Sequence, residues 1–351
     1  MEERADAIEV GSVTTLFGGV AAVVDASLSV GSGELVAMLG PSGSGKTTLL
    51  RTIAGFERPD AGTISIGGHH VVAPGVWVEP EHRRVGMVFQ HGALFPHLTA
   101  AANVAFGAES PERSRELLEL VGLAGRGSAF PHELSGGERQ RIALARALAA
   151  DPAVVLLDEP FASLDPALRD SLRTEVVRIL RAAGASALLV THDQAEALSL
   201  ADRLVVLRDG RVVQEGTPDD VYLHPRSRWV AEFVGEADVL PGRLAAGVVE
   251  CELGRFEADG APEGVVDVVI RPEDVELQLP ASANGHVEAV VLDHRSYGHD
   301  HLTHVRLPSG RVLRSRRLGF ARLDPGATVH VNLDARVSVL PAADHGAGTP
   351  R

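Results

Sequence analysis

Cysteine is nearly absent: Cys251 stands alone among 351 residues, which excludes an intrachain disulfide and any cysteine-built zinc cluster. Long apolar runs are missing as well. No stretch approaches the roughly 18 residues that a membrane-spanning helix requires. The opening MEERADAIEV is acidic and carries no apolar signal core, so the expected location is the cytoplasm. Positive charge is in deficit, with 33 basic against 47 acidic side chains and a net charge of −14. Such a surface suits neither nucleic acid nor anionic lipid as a default partner, and no nucleic-acid partner is expected. Aromatic residues reach only 4 %, yet 45 % of the chain is hydrophobic and 23 % charged, the balance of an ordinary globular protein. At this length two domains are expected, the larger above about 200 residues.

Lysine is the scarcest charge. Lys46 is the single lysine, and the other 32 basic residues are arginines. A coding preference for arginine accounts for the 32. The surviving lysine marks a place where a planar guanidinium fork does not replace a compact ammonium.

Lys46 lies in ELVAMLGPSGSGKTT, residues 34–48. An apolar strand, 35–39, runs into a Gly-rich loop and then into the helix-compatible TTLLRTIAGF. From Gly40 to Thr47 the loop fits G-x-x-x-x-G-K-[ST] at every fixed position. Its members are Gly40, Pro41, Ser42, Gly43, Ser44 and Gly45, followed by Lys46, Thr47 and Thr48. The glycines let backbone N–H groups turn inward around phosphate oxygens, and the next helix adds its positive end. Lys46 would reach the β/γ-phosphates of a nucleotide and the Thr47 hydroxyl would bind Mg²⁺.

A nucleotide hydrolase also needs an acidic partner on a neighbouring strand. AVVLLDE at 153–159 reads as a buried parallel strand with acids at its carboxyl edge. Asp158 is placed to hold Mg²⁺, and Glu159 to polarise the attacking water as general base.

Four further segments complete a pattern. LSGGE at 134–138 leads into the Arg-rich helix RQRIALARAL; SLD at 163–165 follows DEPFA; His192 follows ALLVT; and Gln90 ends VGMVFQ. In order and spacing, residues 7–235 resemble the nucleotide-binding subunit of an ABC transporter: P-loop, Q-loop, signature, Walker B, D-loop and H-loop. The resemblance implies an α/β P-loop NTPase fold with a parallel sheet, an antiparallel β subdomain and a helical subdomain near 91–150. It implies ATP and Mg²⁺ as ligands and a head-to-tail homodimer. Each ATP would lie between one P-loop and Ser135, Gly136 and Gly137 of the other copy. Those N–H groups at a helix start offer a second anion nest. By the same resemblance His192 contacts the γ-phosphate, Asp165 couples the two sites, and Gln90 joins the metal site and relays nucleotide state. Phe17 would stack on adenine; packing in the core is the other use of a Phe after a strand. The signature departs from the commoner pattern by ending in Glu138, which faces outward in the family's arrangement, so a modest effect is expected. LSGGE by itself also reads as a helix start, with Ser135 capping and Glu138 in the third helical position.

Single-cassette organisation, an acidic balance and no heptad run favour a transport role over the DNA-repair and translation branches of the family. A soluble regulatory ATPase without a permease is the contrasting class. QHGALFPHLTAAANVAFG, residues 90–107, mixes Leu94, Phe95, Leu98 and Phe106 with few charges. Such a patch marks a binding surface or a core helix, and it resembles the region where importer cassettes receive two transmembrane permease subunits.

From about Glu236 the helical pattern stops. VLPGRL, VVECELGRFEA, VVDVVIRPEDVEL, GHVEAVVLDH, LTHVRL, RVLRSRR, TVHVNL and RVSVL read as short strands between turn residues. Residues 236–351 resemble the TOBE domain, an OB-like barrel appended to importer cassettes, with a flexible tail expected from about 342. The region carries 12 arginines against 17 acidic residues, which argues against oligonucleotide binding and for dimerisation or regulation. RRVGMVFQ, ALFPHLT, PHELSGGE and FVGEADVLPGRL resemble the ferric-iron importer ATPases, with polyamine, sugar and molybdate or sulfate importers as alternatives. This places the protein on the cytoplasmic face of the membrane as a peripheral subunit, served by an external substrate-binding protein. His294, His299, His301 and His304 raise the idea of an iron-sensing site, since 299 and 301 would share one face of a strand. Solvent-facing histidines on a polar strand are the commoner outcome.

Overall fold

Strands and helices alternate as far as residue 234 and only strands and 3-10 turns follow, as a computed structural model describes for residues 6–90, 92–162, 165–258, 261–279, 287–319, 322–333 and 337–342. Ser163, Leu164 and the tail beyond 342 lie outside the described residues. The chain forms two compact units, residues 1–218 and 219–351.

In the first unit, β1 (Ile8–Phe17) and β2 (Val20–Val30) lead into β3 (Leu35–Leu39) and helix α1 (Lys46–Ala54). Strands β4 (Ala61–Ile66), β5 (His69–Ala73), β6 (Val76–Trp77) and β7 (Val85–Val88) follow. Helices α2 (Ala100–Ala105), α3 (Pro111–Leu120) and α4 (Gly136–Ala149) fill the middle. Then come β8 (Val154–Asp158), α5 (Pro166–Ala182), β9 (Ala187–Thr191), α6 (Gln194–Leu200), β10 (Arg203–Arg208) and β11 (Arg211–Gly216).

Two sheets result. One is antiparallel, in the order β2-β1-β4-β5-β6. The other runs β11-β10-β3-β9-β8-β7, parallel except for the edge strand β11. The central strands β3 and β9 are buried at every position, as their unbroken apolar runs require in a sheet covered on both faces. One core joins the two sheets, with Leu49, Leu50 and Ile53 of α1 packed among Ile8, Val10, Met38, Leu156 and Val205.

The second unit begins with α7 (Pro218–Leu223) and α8 (Arg228–Val234). Ten strands follow: β12 (Asp238–Ala245), β13 (Val248–Cys251), β14 (Gly254–Glu257), β15 (Gly264–Ile270), β16 (Val275–Gln278), β17 (Val287–Ser296), β18 (Asp300–Arg306), β19 (Val312–Leu318), β20 (Thr328–Leu333) and β21 (Ser338–Pro341). All eight strand-like runs of the sequence carry strands. They pair into two five-stranded antiparallel sheets, β14-β13-β12-β15-β21 and β16-β20-β17-β18-β19, around one core that includes Leu240, Val266, Val268, Val291, Val305, Leu313 and Val331.

Composition changes at 235/236, whereas the compact units divide at 218/219. The physical link is Arg271, buried after β15, which donates to the carbonyls of Tyr222 (2.7 Å), Ala231 (2.8 Å) and Glu236 (3.0 Å). Its guanidinium also lies 3.9 Å from the Tyr222 ring centroid. One side chain thus ties both short helices to the β-rich unit.

Candidate nucleotide-binding site

The loop between β3 and α1 is shaped by what its glycines permit. Gly45 caps α1 in the left-handed region, φ 97°, and a methyl group there would run into the Ala22 carbonyl. The loop is pinned by Ser44 N–H to Pro41 O (3.2 Å) and Gly210 N–H to Ser44 O (3.1 Å). Ser42 and Gly43 are exposed at its tip, and Thr48 is half-buried in the first turn of α1. Lys46 is buried and folds back over the loop. Its Nζ donates to Gly40 O (2.8 Å) and Pro41 O (2.9 Å). Burial lowers its pKa, and the charges of Glu159 and Asp158 resist the shift.

The remaining acids and bases gather because β3, β8 and β9 run parallel and end at one edge of the sheet. Thr47 donates its hydroxyl to Asp158 Oδ1 at 3.3 Å. Burial raises the Asp158 pKa, opposed by the Thr47 hydrogen bond and reinforced by Glu159. Glu159 itself has φ 43°, a strained value for a residue with a side chain. Its N–H bonds to Val190 O (3.0 Å), and the turn aims its Oε1 at His192 Nδ1, 3.1 Å away. A cavity of about 70 Å³ opens beside the pair, bounded also by Arg169, Thr191, Asp193 and Glu196. It has room for one or two waters. Lys46, Thr47, Asp158, Glu159 and His192 therefore form one cluster, with a cation, hydroxyl, two carboxylates and an imidazole. Thr47 and Asp158 supply hard oxygen atoms of the kind Mg²⁺ takes.

A supporting network that no local sequence pattern specifies lies under His192. Arg173 of α5, almost fully buried, donates to Asp193 Oδ2 (2.7 Å), Glu196 Oε1 (2.7 Å) and Asp170 Oδ1 (2.9 Å). Burial works against its charge, but Glu196 and Asp193 outweigh that and raise its pKa. Thr191 Oγ1 donates to Glu196 Oε2 (2.5 Å) and accepts from Asp193 N–H (3.0 Å). These bonds fix the backbone on both sides of His192. The signal was present in HDQAE, where two acids flank the start of a helix, but its cationic partner lies 20 and 23 residues upstream. Arg83 is a second such residue. It is buried, bonds to Thr52 O (2.9 Å), Ile53 O (2.9 Å) and Val78 O (2.7 Å), and lies 4.4 Å from the Trp77 ring centroid. It thereby closes the carboxyl end of the P-loop helix. Burial lowers its pKa to about 10.

Other residues stand apart from this cluster. Ser135 caps α4, accepting from Glu138 N–H (3.2 Å), while Glu138 accepts from Ser135 N–H (2.8 Å). Glu138 does not face outward: its carboxylate closes a capping box and takes a further bond from Arg126 Nε (3.2 Å). The Ser135 backbone bond is the leading cause of its lowered pKa. Ser135 is exposed, with Gly136 and Gly137 in the first turn behind it. No hydrogen bond or ion pair among the described residues joins these three to the P-loop. Asp165 is exposed at the N-cap of α5. Gln90 is exposed two residues beyond β7, the neighbour of β8. Phe17 is 48 % exposed at a hairpin, so it is not a core residue.

The apolar segment after Gln90 is held by Asn103, buried in α2, which bonds to Phe95 N–H and to the carbonyls of Phe95, Leu98 and Thr99. Phe95 packs on Phe106 with ring centroids 4.7 Å apart, and Phe106 is 70 % exposed. Leu94, Phe95 and Leu98 are half-buried.

Residues 23–162 match the family described as ABC transporter, and residues 268–340 match the TOBE domain. A relative from Pseudomonas fluorescens, named Fe(3+) ions import ATP-binding protein FbpC, is 45 % identical over 92 % of this chain and 100 % of its own length. The chain belongs to the ABC transporter ATP-binding family. A further relative of this family, the Fe(3+) ions import ATP-binding protein FbpC 1 of Rhodococcus jostii, is 45 % identical across 96 % of this chain and 99 % of its own. The sulfate/thiosulfate import ATP-binding protein CysA of Caulobacter vibrioides is 46 % identical across 77 % of this chain and 82 % of its own. Among solved structures, the ATP-binding cassette MJ0796, described as dimeric and bound to ADP and Pi in a post-hydrolysis state, aligns with a TM-score of 0.51. It is 31 % identical, over 60 % of this chain and 98 % of that one. The protein is thus an ABC-class ATPase with a TOBE domain. Of the histidines of that domain, His294 and His301 stack on each other, but they do not make a metal cluster. Among the described residues no group of three or more His, Cys, Asp or Glu is placed to hold a metal. His299 precedes β18 on an exposed turn, so it does not share the strand face of His301.

Proposed function

We propose that this protein is the energy-coupling subunit of a binding-protein-dependent importer, hydrolysing ATP on the cytoplasmic face of the membrane. The single observation that carries the chemistry is the cluster of Lys46, Thr47 and Asp158 with the 3.1 Å Glu159–His192 pair. In this reading Gly40 to Thr48 wrap the phosphates, and Lys46 exchanges the Gly40 and Pro41 carbonyls for β/γ-phosphate oxygens. Thr47 and Asp158 hold Mg²⁺, with Gln90 as a further ligand. When bound there, Mg²⁺ would supply charge neutralisation to the phosphates. Glu159 takes a proton from the attacking water, and His192 steadies that water and the γ-phosphate. Phe17 stacks on adenine. Two copies sandwich the nucleotide, with Ser135, Gly136 and Gly137 of the second copy completing the site and Asp165 linking the two halves. The dimeric MJ0796 cassette supports this arrangement.

No helix among the described residues is long and apolar enough to cross a membrane; in this reading two partner permease subunits form the translocation path, as the importer names of the relatives support. The half-exposed face around Phe95 and Phe106, in the 90–107 segment, is their docking surface. Residues 1–235 act as the nucleotide-binding part, with 236–351 as a regulatory part. The transported substrate is ferric iron, delivered by an external binding protein. The names of the Pseudomonas and Rhodococcus relatives support that choice. The Caulobacter relative gives sulfate or thiosulfate as the second reading.

The test is ATP hydrolysis by the complex in liposomes, with binding protein loaded in turn with ferric iron and sulfate. Stimulation by the ferric form alone is expected. Stimulation by the sulfate form alone would move the substrate and leave the ATPase mechanism standing. Absence of a co-purifying membrane partner would remove the importer reading.

A further inference from the structure

The inner face of one sheet in the second unit changes character along its length. Val291, Val305 and Leu313 sit side by side on β17, β18 and β19 and belong to the core. The next row is His294, Thr303 and Ser315; the row beyond it is Ser296, His301 and Arg317. A register shift between Val291 and Asp293 makes this possible. In regular pairing Asp293 would lie opposite Thr303 and face inward. The bulge moves Asp293 opposite His304 and places His294 opposite Thr303. An imidazole thus replaces a carboxylate on the inner face, and re-aiming a side chain in this way is a recurrent use of β-bulges.

All members of these polar rows but Ser296 border a cavity of about 330 Å³, which Arg322 and Leu323 also line. His294 Nδ1 is 2.9 Å from Thr303 Oγ1, and the His294 and His301 rings stack with centroids 5.1 Å apart. None of the described lining residues is acidic. The acids stand at the rim: Glu276 lies 3.5 Å from Arg317, Asp324 lies 3.4 Å from Arg322, and Asp293 is engaged with Arg295 at 2.7 Å. Leu277 and Leu279 form an apolar wall, and Leu318 at the mouth is 82 % exposed. A concave, partly apolar site with a few convergent polar groups at the end of a β domain is where small ligands bind. The donor set selects an anion. The volume and the leucines select one with an apolar body, because an inorganic oxyanion would leave that wall unused.

We propose that this cavity binds a small organic carboxylate, its carboxylate on Arg317, His301 and His294 and its apolar part against Leu277, Leu279 and Leu323. Burial lowers the His294 pKa, with His301 and Arg322 adding to the effect and Asp293 and Asp324 opposing it. A bound carboxylate reverses that balance, so capture takes up a proton. While the ligand stays ionised, affinity therefore falls as pH rises through the titration of His294 in the complex.

The experiment is isothermal titration of the full-length protein with benzoate, 4-methylpentanoate and citrate, and with sulfate as the inorganic control. Benzoate or 4-methylpentanoate should bind, in two buffers of different ionisation enthalpy showing proton uptake, and binding of citrate alone overturns the assignment. Arg317→Met and His294→Asp should weaken it about tenfold or more. Unchanged basal ATP hydrolysis and an unchanged unfolding midpoint show that the variants are folded. Silence from all three carboxylates overturns the assignment. So does sulfate binding as well as they do, or a folded Arg317→Met variant that binds like the parent.

Discussion

A lone lysine among 32 arginines has a physical reason at the site it occupies. Its ammonium is buried and shared between two carbonyls of a six-residue glycine-rich turn. A guanidinium is wider, planar and unable to shed its proton. Lys46→Ala is expected to lower ATP turnover by about 10² or more, and Lys46→Arg to do nearly the same; a phosphate-release assay reads both. Glu138 makes the opposite case. Its carboxylate caps its own helix, and glutamine serves that role too. Glu138→Gln should leave turnover within about twofold, whereas Glu138→Ala should cost about 1 kcal/mol in urea unfolding. The pH dependence follows from the depressed pKa of Glu138. Its contribution is complete above the ordinary glutamate range and is lost as pH falls through the lower folded value. Protection of the Ser135 and Glu138 amides, taken relative to the intrinsic exchange rate at each pH, should therefore fall on acidification in the parent and not in the glutamine variant.

At the scale of elements, α5 and α6 do more than cover the sheet. Arg173 reaches from one helix to acids at the start of the other, and Thr191 links those acids to β9. Removing the cation strands the buried Glu196 carboxylate and frees the half-buried Asp193, which costs about 3–5 kcal/mol. Arg173→Met should show that loss in urea unfolding. It should also lower kcat with little change in KM for ATP, since the network positions His192 and leaves the P-loop alone; Arg173→Lys should recover part of both. Arg83 fixes the other end of α1. Arg83→Met leaves carbonyls of Thr52, Ile53 and Val78 without this donor and is expected to cost about 1–3 kcal/mol, read as a lower unfolding midpoint.

The whole molecule is two units with separate cores. A cavity in one should leave the other's chemistry intact. Leu313→Ala, at a fully buried position in the second core, should destabilise that unit by about 2–5 kcal/mol and leave ATP hydrolysis unchanged below its melting range. Differential scanning calorimetry paired with turnover checks this directly.

The sequence by itself determined the strand–loop–helix that cradles phosphate, the carboxyl-edge acids and the strand-rich second half. These rest on local rules: glycines for left-handed turns, unbroken apolar runs for buried parallel strands, and short runs between turn residues for antiparallel ones. Tertiary structure decided what depends on distant partners. It brought Arg173 to Glu196 and Arg83 to the end of α1, drew α7 and α8 into the second unit through Arg271, and set Arg126 against the Glu138 carboxylate. It separated His299 from His301 and used one bulge to put His294, not Asp293, on an inner face. A register shift or a buried ion pair joins residues tens of positions apart, and no local pattern records which partner the packed chain brings near.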